Sequence, residues 1–224
     1  MAALNKNLRD AFKSERLVYK ALEDSKDDQA FFLQVVSDPV HQSLARTHPR
    51  MPAGHKKADE MIKILLGGIM SVKICLSPTE SRRFKEKSAE PHGKTDGTAK
   101  EEGQEEVLIP IGFVTILNRH EHSVYVAQHR NATLGISLVE EFRGKGYGGE
   151  AINWALDWAF FAAGLHRVSL ECFSFNTNAY KLYKKLGFVE EGRQREVMYY
   201  ERGWHDAILF SMLEQEWEKL RDLK

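Results

Sequence analysis

Four glycines lie within residues 144–149 of this chain, between a strand pattern at residues 132–139 and an apolar helical repeat that starts at Ala151. Glycine lets a backbone approach a ligand closely. The N-terminus of a helix also presents unpaired N–H groups, and the positive end of its dipole, to an anion. Arg143 and Lys145 bring positive charge to the same turn. The pattern therefore predicts a turn that binds phosphate or pyrophosphate, with a tight structural turn as the alternative.

The spacing of these glycines excludes two better-known phosphate-binding motifs. The turn lacks the G-x-x-x-x-G-K-[ST] of a P-loop, and its glycines do not follow the G-x-G-x-x-G of a dinucleotide-binding fold. The ligand therefore has to be inferred from the rest of the chain.

Regular elements are predicted on both sides of the glycine turn. Strand patterns cover residues 16–22, 71–76, 107–117 and 166–172, and residues 124–126 are a short strand candidate. Helical patterns cover residues 27–38, 57–66 and 151–163, and Asn176 opens a further helix. We expect Pro39 to end the first helix, because the residue before a proline disfavours α geometry. Gly164 is expected to cap the long helix that follows the glycine turn.

Residues 78–106 differ from the rest of the chain. Only Phe84, Ala89 and Ala99 are apolar, whereas six residues are basic and eight are acidic. Without a helical or strand period, such a segment buries too little apolar surface to offset its ordering entropy. We expect a flexible, charged insertion inside a compact domain. The alternatives are a substrate-facing flap and a tail that docks a protein or a nucleic acid.

Composition narrows the functional classes further. Lys+Arg and Asp+Glu both count 32, and this balance argues against a dedicated nucleic-acid binder. No segment reads as a membrane span or a secretory leader, so we expect no membrane partner and a cytoplasmic location, with the nucleus as the alternative. Cys75 and Cys172 belong to no Cys/His cluster and are expected to be buried, reduced thiols. His120, His122 and His129 lack the spacing of a metal site, so no metal is expected.

Several motifs follow the glycine turn in a fixed order. Arg143-x-x-Gly146-x-Gly148 resembles the R/Q-x-x-G-x-G/A signature of the GNAT superfamily of acyl-CoA-dependent N-acyltransferases. Residues 176–188 resemble the family's N-x-x-A/S…L-Y-x-K-L-G-F segment. Residues 14–17, 189–193 and 203–206 resemble the branch that acetylates ribosomal proteins and small amines. The resemblance extends over residues 16–217 outside the insertion.

The resemblance implies an α/β (α+β) fold with a mixed, mostly antiparallel sheet, two splayed parallel strands and flanking helices. It also implies one domain at residues 15–217, with residues 1–14 as an extension and residues 218–224 as a tail. Acetyl-CoA is the implied co-substrate, and the backbone amides of the turn would hold its pyrophosphate. The implied cofactor-binding residues are Leu138, Val139, Arg143, Gly144, Lys145, Gly146, Tyr147, Gly148, Gly149, Asn176, Ala179 and Tyr183.

Roles for individual residues follow from the same resemblance. The splayed strands would be residues 133–139 and 167–172, where a free N–H of Val139 or Leu138 would polarise the thioester carbonyl. Tyr183 matches a general acid toward the leaving thiolate, since an ordinary tyrosine pKa of about 10 keeps the phenol protonated. A packed core tyrosine, or Tyr180 in its place, is the alternative. Asn176 matches a residue that bonds the pantetheine arm, and it is also an N-cap candidate.

The general base is open at this point. Glu171 lies near the end of a central strand, although it faces outward if the strand phase is reversed. Glu141 is a second candidate, Ser137 can orient a water molecule, and a water chain can replace a single base.

We predict an N-acetyltransferase that moves acetyl from acetyl-CoA to a primary amine by direct attack in a ternary complex. The acceptor would be a small amine, a polyamine or the N-terminus of a protein or peptide. A non-catalytic, CoA-binding regulatory module is the alternative, and the sequence leaves open whether the chain is a monomer or a homodimer.

Overall fold

The computed structural model describes residues 10–45, 50–88, 108–118 and 126–223. Seven strands pair into one sheet: β1 (Leu17–Ala21), β2 (Met70–Leu76), β3 (Pro110–Asn118), β4 (Asn131–Leu138), β5 (Arg167–Phe173), β6 (Val189–Tyr200) and β7 (Gly203–Leu213). Their order in the sheet is β1-β2-β3-β4-β5-β7-β6. Every neighbouring pair is antiparallel except β4 and β5, which are parallel. The predicted mixed, mostly antiparallel sheet is thereby confirmed.

Eight α-helices surround the sheet in the described part of the chain. They are α1 (Lys26–Ser37), α2 (Pro39–Ala45), α3 (His55–Leu66), α4 (Pro78–Ser88), α5 (Val126–His129), α6 (Tyr147–Asp157), α7 (Thr177–Lys185) and α8 (Glu214–Leu220). A π-helical turn continues α6 through Trp158–Ala162, and Gly164 then adopts a φ of +62°. The predicted end of this helix at Gly164 is confirmed.

The two faces of the sheet carry separate groups of helices. On one face, Ala151 and Ile152 of α6 are fully buried in one cluster with Leu134 and Val168. On the other face, Phe32 of α1 packs against Phe113 of β3, with 5.2 Å between ring centroids. Successive side chains of a strand point to opposite faces, so β3 contributes to both clusters. The sheet is therefore covered on both sides.

The parallel pair β4 and β5 separates towards its carboxyl end. The register pairs Asn131 with Arg167 and Thr133 with Ser169, and the pairing stops there. β4 nevertheless continues to Leu138, and β5 continues to Phe173. The predicted splay of two parallel strands is confirmed, and the resulting wedge opens beside the glycine turn.

The expected end of α1 before Pro39 is confirmed, and Pro39 also begins α2, where the Asp38 carboxylate accepts the Val40 N–H at 2.8 Å. Two other expectations about local structure were wrong. Val126 begins the short helix α5 rather than ending a strand, while residues 124 and 125 lie outside the described residues. Residues 78–88, the start of the expected flexible insertion, form α4. The remaining residues of that segment, 89–106, lie outside the described residues.

Helix α4 was missed because its signals are at its N-terminus rather than in a hydrophobic period. The Ser77 hydroxyl accepts the Glu80 N–H at 3.3 Å, as an N-cap does, and Pro78 occupies the first helical position. Ser81 is buried, and Phe84 packs against the larger core cluster. Tertiary contacts therefore supply the stabilisation that the apolar content of this segment does not indicate.

Cys75 and Cys172 are both free and buried, as expected. None of the described helices is long and apolar enough to cross a membrane.

Candidate active site

The glycine turn joins the end of β4 to the start of α6. Gly144 and Gly146 have φ angles of +73° and +86°, which residues with a Cβ rarely adopt. The first backbone hydrogen bond of α6 runs from the Glu150 N–H to the Gly146 carbonyl. The amides of residues 146–149 therefore lie at the helix N-terminus without intrahelical partners, at the positive end of the dipole. This arrangement suits an anion.

Arg143 braces the turn rather than offering its charge to it. Its Nε donates to the Leu138 carbonyl at 2.9 Å, and its guanidinium pairs with the Asp38 carboxylate at the start of α2. Burial opposes ionisation of Asp38, but the hydrogen bond and charge of Arg143, together with the backbone N–H groups of Val40 and His41, outweigh it and hold the pKa of this carboxyl below its usual range. The positive charge that Arg143 was expected to add to the turn is therefore paired with the Asp38 carboxylate. Its role here is to fix the path from β4 into the turn.

Arg16 brings a second guanidinium to the turn from the start of β1. Its Nη1 donates to the Lys145 carbonyl at 3.1 Å, and its guanidinium lies 4.5 Å from the centre of the Tyr147 ring. Its Nη2 lies 3.2 Å from the position that a Cβ on Gly146 would take. Sequence reasoning included Arg16 in the family resemblance but did not assign it to the site, because the two segments are far apart in the chain.

The wedge presents one of the two amides proposed for the thioester carbonyl. The Val139 N–H donates to the Ile111 carbonyl at 2.9 Å, so Val139 belongs to the β3–β4 ladder and is not available. In an antiparallel pair, consecutive residues of a strand alternate between facing the partner and facing away. The Leu138 N–H therefore points towards β5, into the wedge. Of the two candidates, the structure keeps Leu138.

Ser137 and Glu171 lie on the face of the sheet that α1 and α3 cover. Ser137 pairs with Phe113, whose ring packs against α1, and the hydroxyl oxygens of Thr133 and Ser169 are 3.4 Å apart across the parallel pair. Ser137 is four residues beyond Thr133, and Glu171 is two residues beyond Ser169, so both side chains have the same orientation. Ser137 is buried, whereas Glu171 is exposed. The carboxylate therefore reaches solvent on this side of the wedge.

Tyr183 lies on the opposite face, among the residues that pack under α6 and α7. Its ring contacts Phe188 and Phe210, with centroid distances of 6.0 and 5.8 Å. Burial raises the pKa of its phenol well above the usual value, and the neighbouring Cys172 thiol adds to the shift. The described residues give its hydroxyl no hydrogen-bond partner. Tyr183 is thus a neutral phenol at the α7 side of the wedge.

Tyr180 does not take the place proposed as an alternative to Tyr183. Its hydroxyl donates to the Glu190 carboxylate at 2.9 Å, and this hydrogen bond raises its pKa. The Tyr180 hydroxyl is therefore already hydrogen-bonded to a residue of β6.

Asn176 caps α7, where its Oδ1 accepts the Ala179 N–H at 3.2 Å. This leaves the Asn176 side-chain NH₂ as the donor that a pantetheine carbonyl can use. The start of α6 packs against the second half of α7, since a Cβ on Gly149 would lie 3.3 Å from a methyl of Leu182.

Glu141 lies in a short 3-10 turn before the glycine turn and is exposed. The described residues contain no group of three His, Cys, Asp or Glu side chains that could hold a metal ion.

Comparison with protein families and curated proteins gives several matches. A model described as "Acetyltransferase (GNAT) family" matches residues 71–188, which is more than half of the chain. A putative ribosomal N-acetyltransferase of Bacillus subtilis is 32% identical over 90 residues, which are 40% of this chain and 49% of that protein. A spermidine N(1)-acetyltransferase of Vibrio cholerae is 34% identical over 89 residues, which are 40% of this chain and 51% of that protein. The chain thus spans about half the length of the curated relatives it matches.

Solved structures share the fold along nearly the whole chain. The spermidine N-acetyltransferase of Vibrio cholerae, in complex with CoA and spermine, superposes with a TM-score of 0.64 at 21% identity, covering 91% of this chain and 99% of that one. A GNAT-family acetyltransferase from Bacillus anthracis superposes with a TM-score of 0.63 at 18% identity, covering 91% of this chain and 98% of that one. The splayed strands, the glycine turn and the family model agree, and this chain belongs to the acetyltransferase (GNAT) family.

Proposed function

We propose that this chain transfers an acetyl group from acetyl-CoA to a primary amine by direct attack in a ternary complex. The wedge between β4 and β5 is the observation that carries the proposal. It has an anion-binding turn at its open end, a backbone amide directed into it, and Glu171 and Tyr183 on its two faces.

The residues of the turn suit the pyrophosphate of CoA. The amides of residues 144–149 would donate to its oxygens, while Lys145 and Arg16 supply positive charge. Asn176 and Ala179, at the start of α7, would line the path of the pantetheine arm. The thioester itself supplies an activated acyl carbon and a thiolate leaving group.

Leu138 would stabilise charge on the reacting carbonyl oxygen. Its N–H points into the wedge, and an oriented amide in a water-poor site is an effective donor to a developing oxyanion. Because the amide already faces the wedge, no backbone rearrangement is needed during the reaction.

Proton transfer would take place on both faces of the sheet. Glu171 would accept a proton from the amine, directly or through a water molecule that Ser137 orients. Tyr183 would donate a proton to the departing thiolate, so that the products are an amide and a free thiol. Separate faces for the base and the acid prevent the two side chains from neutralising each other, and they place the acceptor on the α1–α3 side.

The acceptor class is tested with a panel of amines. One relative named above is a spermidine N(1)-acetyltransferase, and another is a putative ribosomal N-acetyltransferase. The panel therefore includes spermidine, simple monoamines and peptides with free N-termini, and thiol release from acetyl-CoA is recorded for each. We expect release only with an acceptor amine. Binding of CoA without thiol release for any acceptor would favour the non-catalytic module instead.

The base is assigned by comparing Glu171→Gln with Glu141→Gln on the best acceptor. If Glu171 is the base, Glu171→Gln lowers kcat by about 10²-fold, while Glu141→Gln does not. Equal, small effects for both variants would favour a water chain.

A further inference from the structure

We propose that helix α4, at the start of the charged segment 78–106, forms part of the CoA site, and that Glu80 is a positioning residue for the glycine turn. The inference rests on the proposed function, since it assigns a role at the same CoA site. It concerns how the turn is held, not which atoms touch the substrate.

Two contacts, one helical turn apart, join α4 to the glycine turn. The Glu80 carboxylate accepts a hydrogen bond from the Tyr147 hydroxyl at 2.7 Å. Four residues later, the Phe84 ring lies 4.9 Å from the Phe142 ring. Residues four apart share one face of a helix, so a single face of α4 contacts both sides of the turn.

The turn also reaches back to α4. The Lys145 ammonium lies 5.8 Å from the centre of the Phe84 ring and 5.7 Å from that of Phe142. The Lys145 side chain, in the middle of the turn, therefore lies near the same two rings through which α4 contacts the start of the turn.

The position of α4 is fixed from its own N-terminus. The Ser77 hydroxyl and carbonyl accept the N–H groups of Glu80 and Ser81, and Ser77 directly follows the last residue of β2. The Ser81 side chain is buried beneath the helix. Glu80 is thus held relative to the sheet.

Tyr147 carries the effect of Glu80 to the binding amides. It is the first residue of α6, so its own N–H belongs to the group that faces an anion. Its ring lies beneath the Arg16 guanidinium and its hydroxyl is bound by Glu80. The Tyr147 hydrogen bond is also the main cause that lowers the pKa of Glu80, so the interaction is charge-assisted at neutral pH.

Without this support the turn would have to become ordered when CoA binds. Ordering a flexible segment on binding lowers affinity, because the free-energy cost of the lost conformational entropy offsets part of the favourable contact energy. Glu80 is therefore expected to affect the affinity for CoA without affecting the chemical step or the acceptor site.

The test measures CoA affinity by titration calorimetry for the full chain and five variants. Glu80→Ala and Tyr147→Phe each remove the hydrogen bond, the double variant removes both partners, and Glu80→Gln keeps an acceptor oxygen. Glu86→Ala is the matched control, because Glu86 is an exposed carboxylate of the same helix. Steady-state kinetics then give kcat at saturating acetyl-CoA and the KM for the acceptor.

We expect Glu80→Ala and Tyr147→Phe to raise the Kd for CoA by roughly 3–10-fold each. The double variant should bind CoA no more weakly than the weaker-binding single variant. The Kd values of Glu80→Gln and Glu86→Ala should remain within about twofold of that of the parent chain. For Glu80→Ala and Glu86→Ala, the values of kcat and of the acceptor KM should not change. A general folding defect would change these values as well, and Glu80→Gln would not restore them.

The inference is overturned if Glu80→Ala leaves the Kd unchanged, if the two single effects multiply in the double variant, or if the acceptor KM changes instead. These results differ from a failure of the proposed function. If the proposed function fails, the parent chain binds CoA without releasing thiol from acetyl-CoA, and the inference about Glu80 still stands on the CoA titrations. A parent chain that binds no CoA at all would overturn both.

Discussion

The Nε of Arg16 lies 2.8 Å from the Oε2 of Glu150, joining the segment before β1 to the first turn of α6. The Oε1 of the same carboxylate accepts the Arg16 N–H at 2.7 Å and the Ser14 hydroxyl at 2.6 Å. One side chain of α6 therefore holds three donors from residues 14–16. Through Arg16 it also holds the guanidinium that lies against the glycine turn.

Replacing Glu150 should affect both stability and CoA binding. Glu150→Ala leaves three donors without their acceptor in a partly buried position, so we expect a loss of about 1–3 kcal/mol in the free energy of unfolding. CoA affinity should fall as well, because Arg16 is released. Urea unfolding and CoA titration check these two effects. Glu140→Ala, at an exposed carboxylate before the turn, is the control and should change neither.

Gly146→Glu should abolish acetyl-CoA binding. The substitution places a carboxylate at the site expected for the pyrophosphate, at a residue whose φ of +86° already disfavours a side chain. Equilibrium binding of acetyl-CoA measures the loss. Gly192→Ala is a suitable control, since a Cβ there meets nothing within 4 Å. Retained affinity in Gly146→Glu would contradict the assignment of the turn.

Proline substitutions can separate the two neighbouring amides. Leu138→Pro removes the N–H that points into the wedge, so we expect kcat to fall by about 10²–10³-fold with the β3–β4 ladder intact. Val139→Pro fits the φ of −56° at that residue but removes the hydrogen bond to Ile111. It should lower stability by about 1 kcal/mol with a smaller effect on kcat. The opposite pattern would assign the oxyanion donor to Val139.

Tyr183→Phe should lower kcat with little change in acetyl-CoA affinity. Removing a general acid typically costs about 10²-fold or more in rate, whereas the ring contacts with Phe188 and Phe210 are kept. Tyr180→Phe is the matched control, because the Tyr180 hydroxyl is bound to Glu190. Unchanged turnover in Tyr183→Phe would show that another group protonates the thiolate.

Stability should fall at alkaline pH. Burial, followed by the hydrogen bond to Glu80, raises the pKa of Tyr147 to about 12, from the value of about 10 expected in the unfolded chain. Between these two values the unfolded state has lost its proton and the folded state has not, so a pH rise favours unfolding. Urea unfolding between about pH 9 and pH 12 should show this loss.

The contribution of Tyr147 to the alkaline loss is isolated by substitution. Tyr147→Phe should make stability less dependent on pH in this range, whereas Tyr199→Phe, at an exposed tyrosine, should not. An identical pH dependence for Tyr147→Phe and the parent would contradict the proposed proton linkage.

The amino-acid sequence indicated the family and the elements around the glycine turn, although it did not predict β6 and β7 as strands. Glycine spacing, strand patterns and cap residues are local signals, so they predicted the turn at residues 143–149, the strands β4 and β5, and the start of α7 at Asn176. The order of these motifs along the chain was enough to indicate the family. Helix α4 was the main omission, because its stability comes from contacts with residues far along the chain.

Which atoms of the site are available depends on contacts between distant segments of the chain. The sequence proposed Leu138 and Val139 equally, and the β3–β4 ladder removes Val139 by pairing it with Ile111. The sequence indicates positive charge at Arg143 but not its ion pair with Asp38, which lies 105 residues earlier in the chain. Arg16 lies against the turn because the fold places β1 next to α6. Hydrogen-bond partners that are distant in the chain decide availability, and a linear pattern does not contain them.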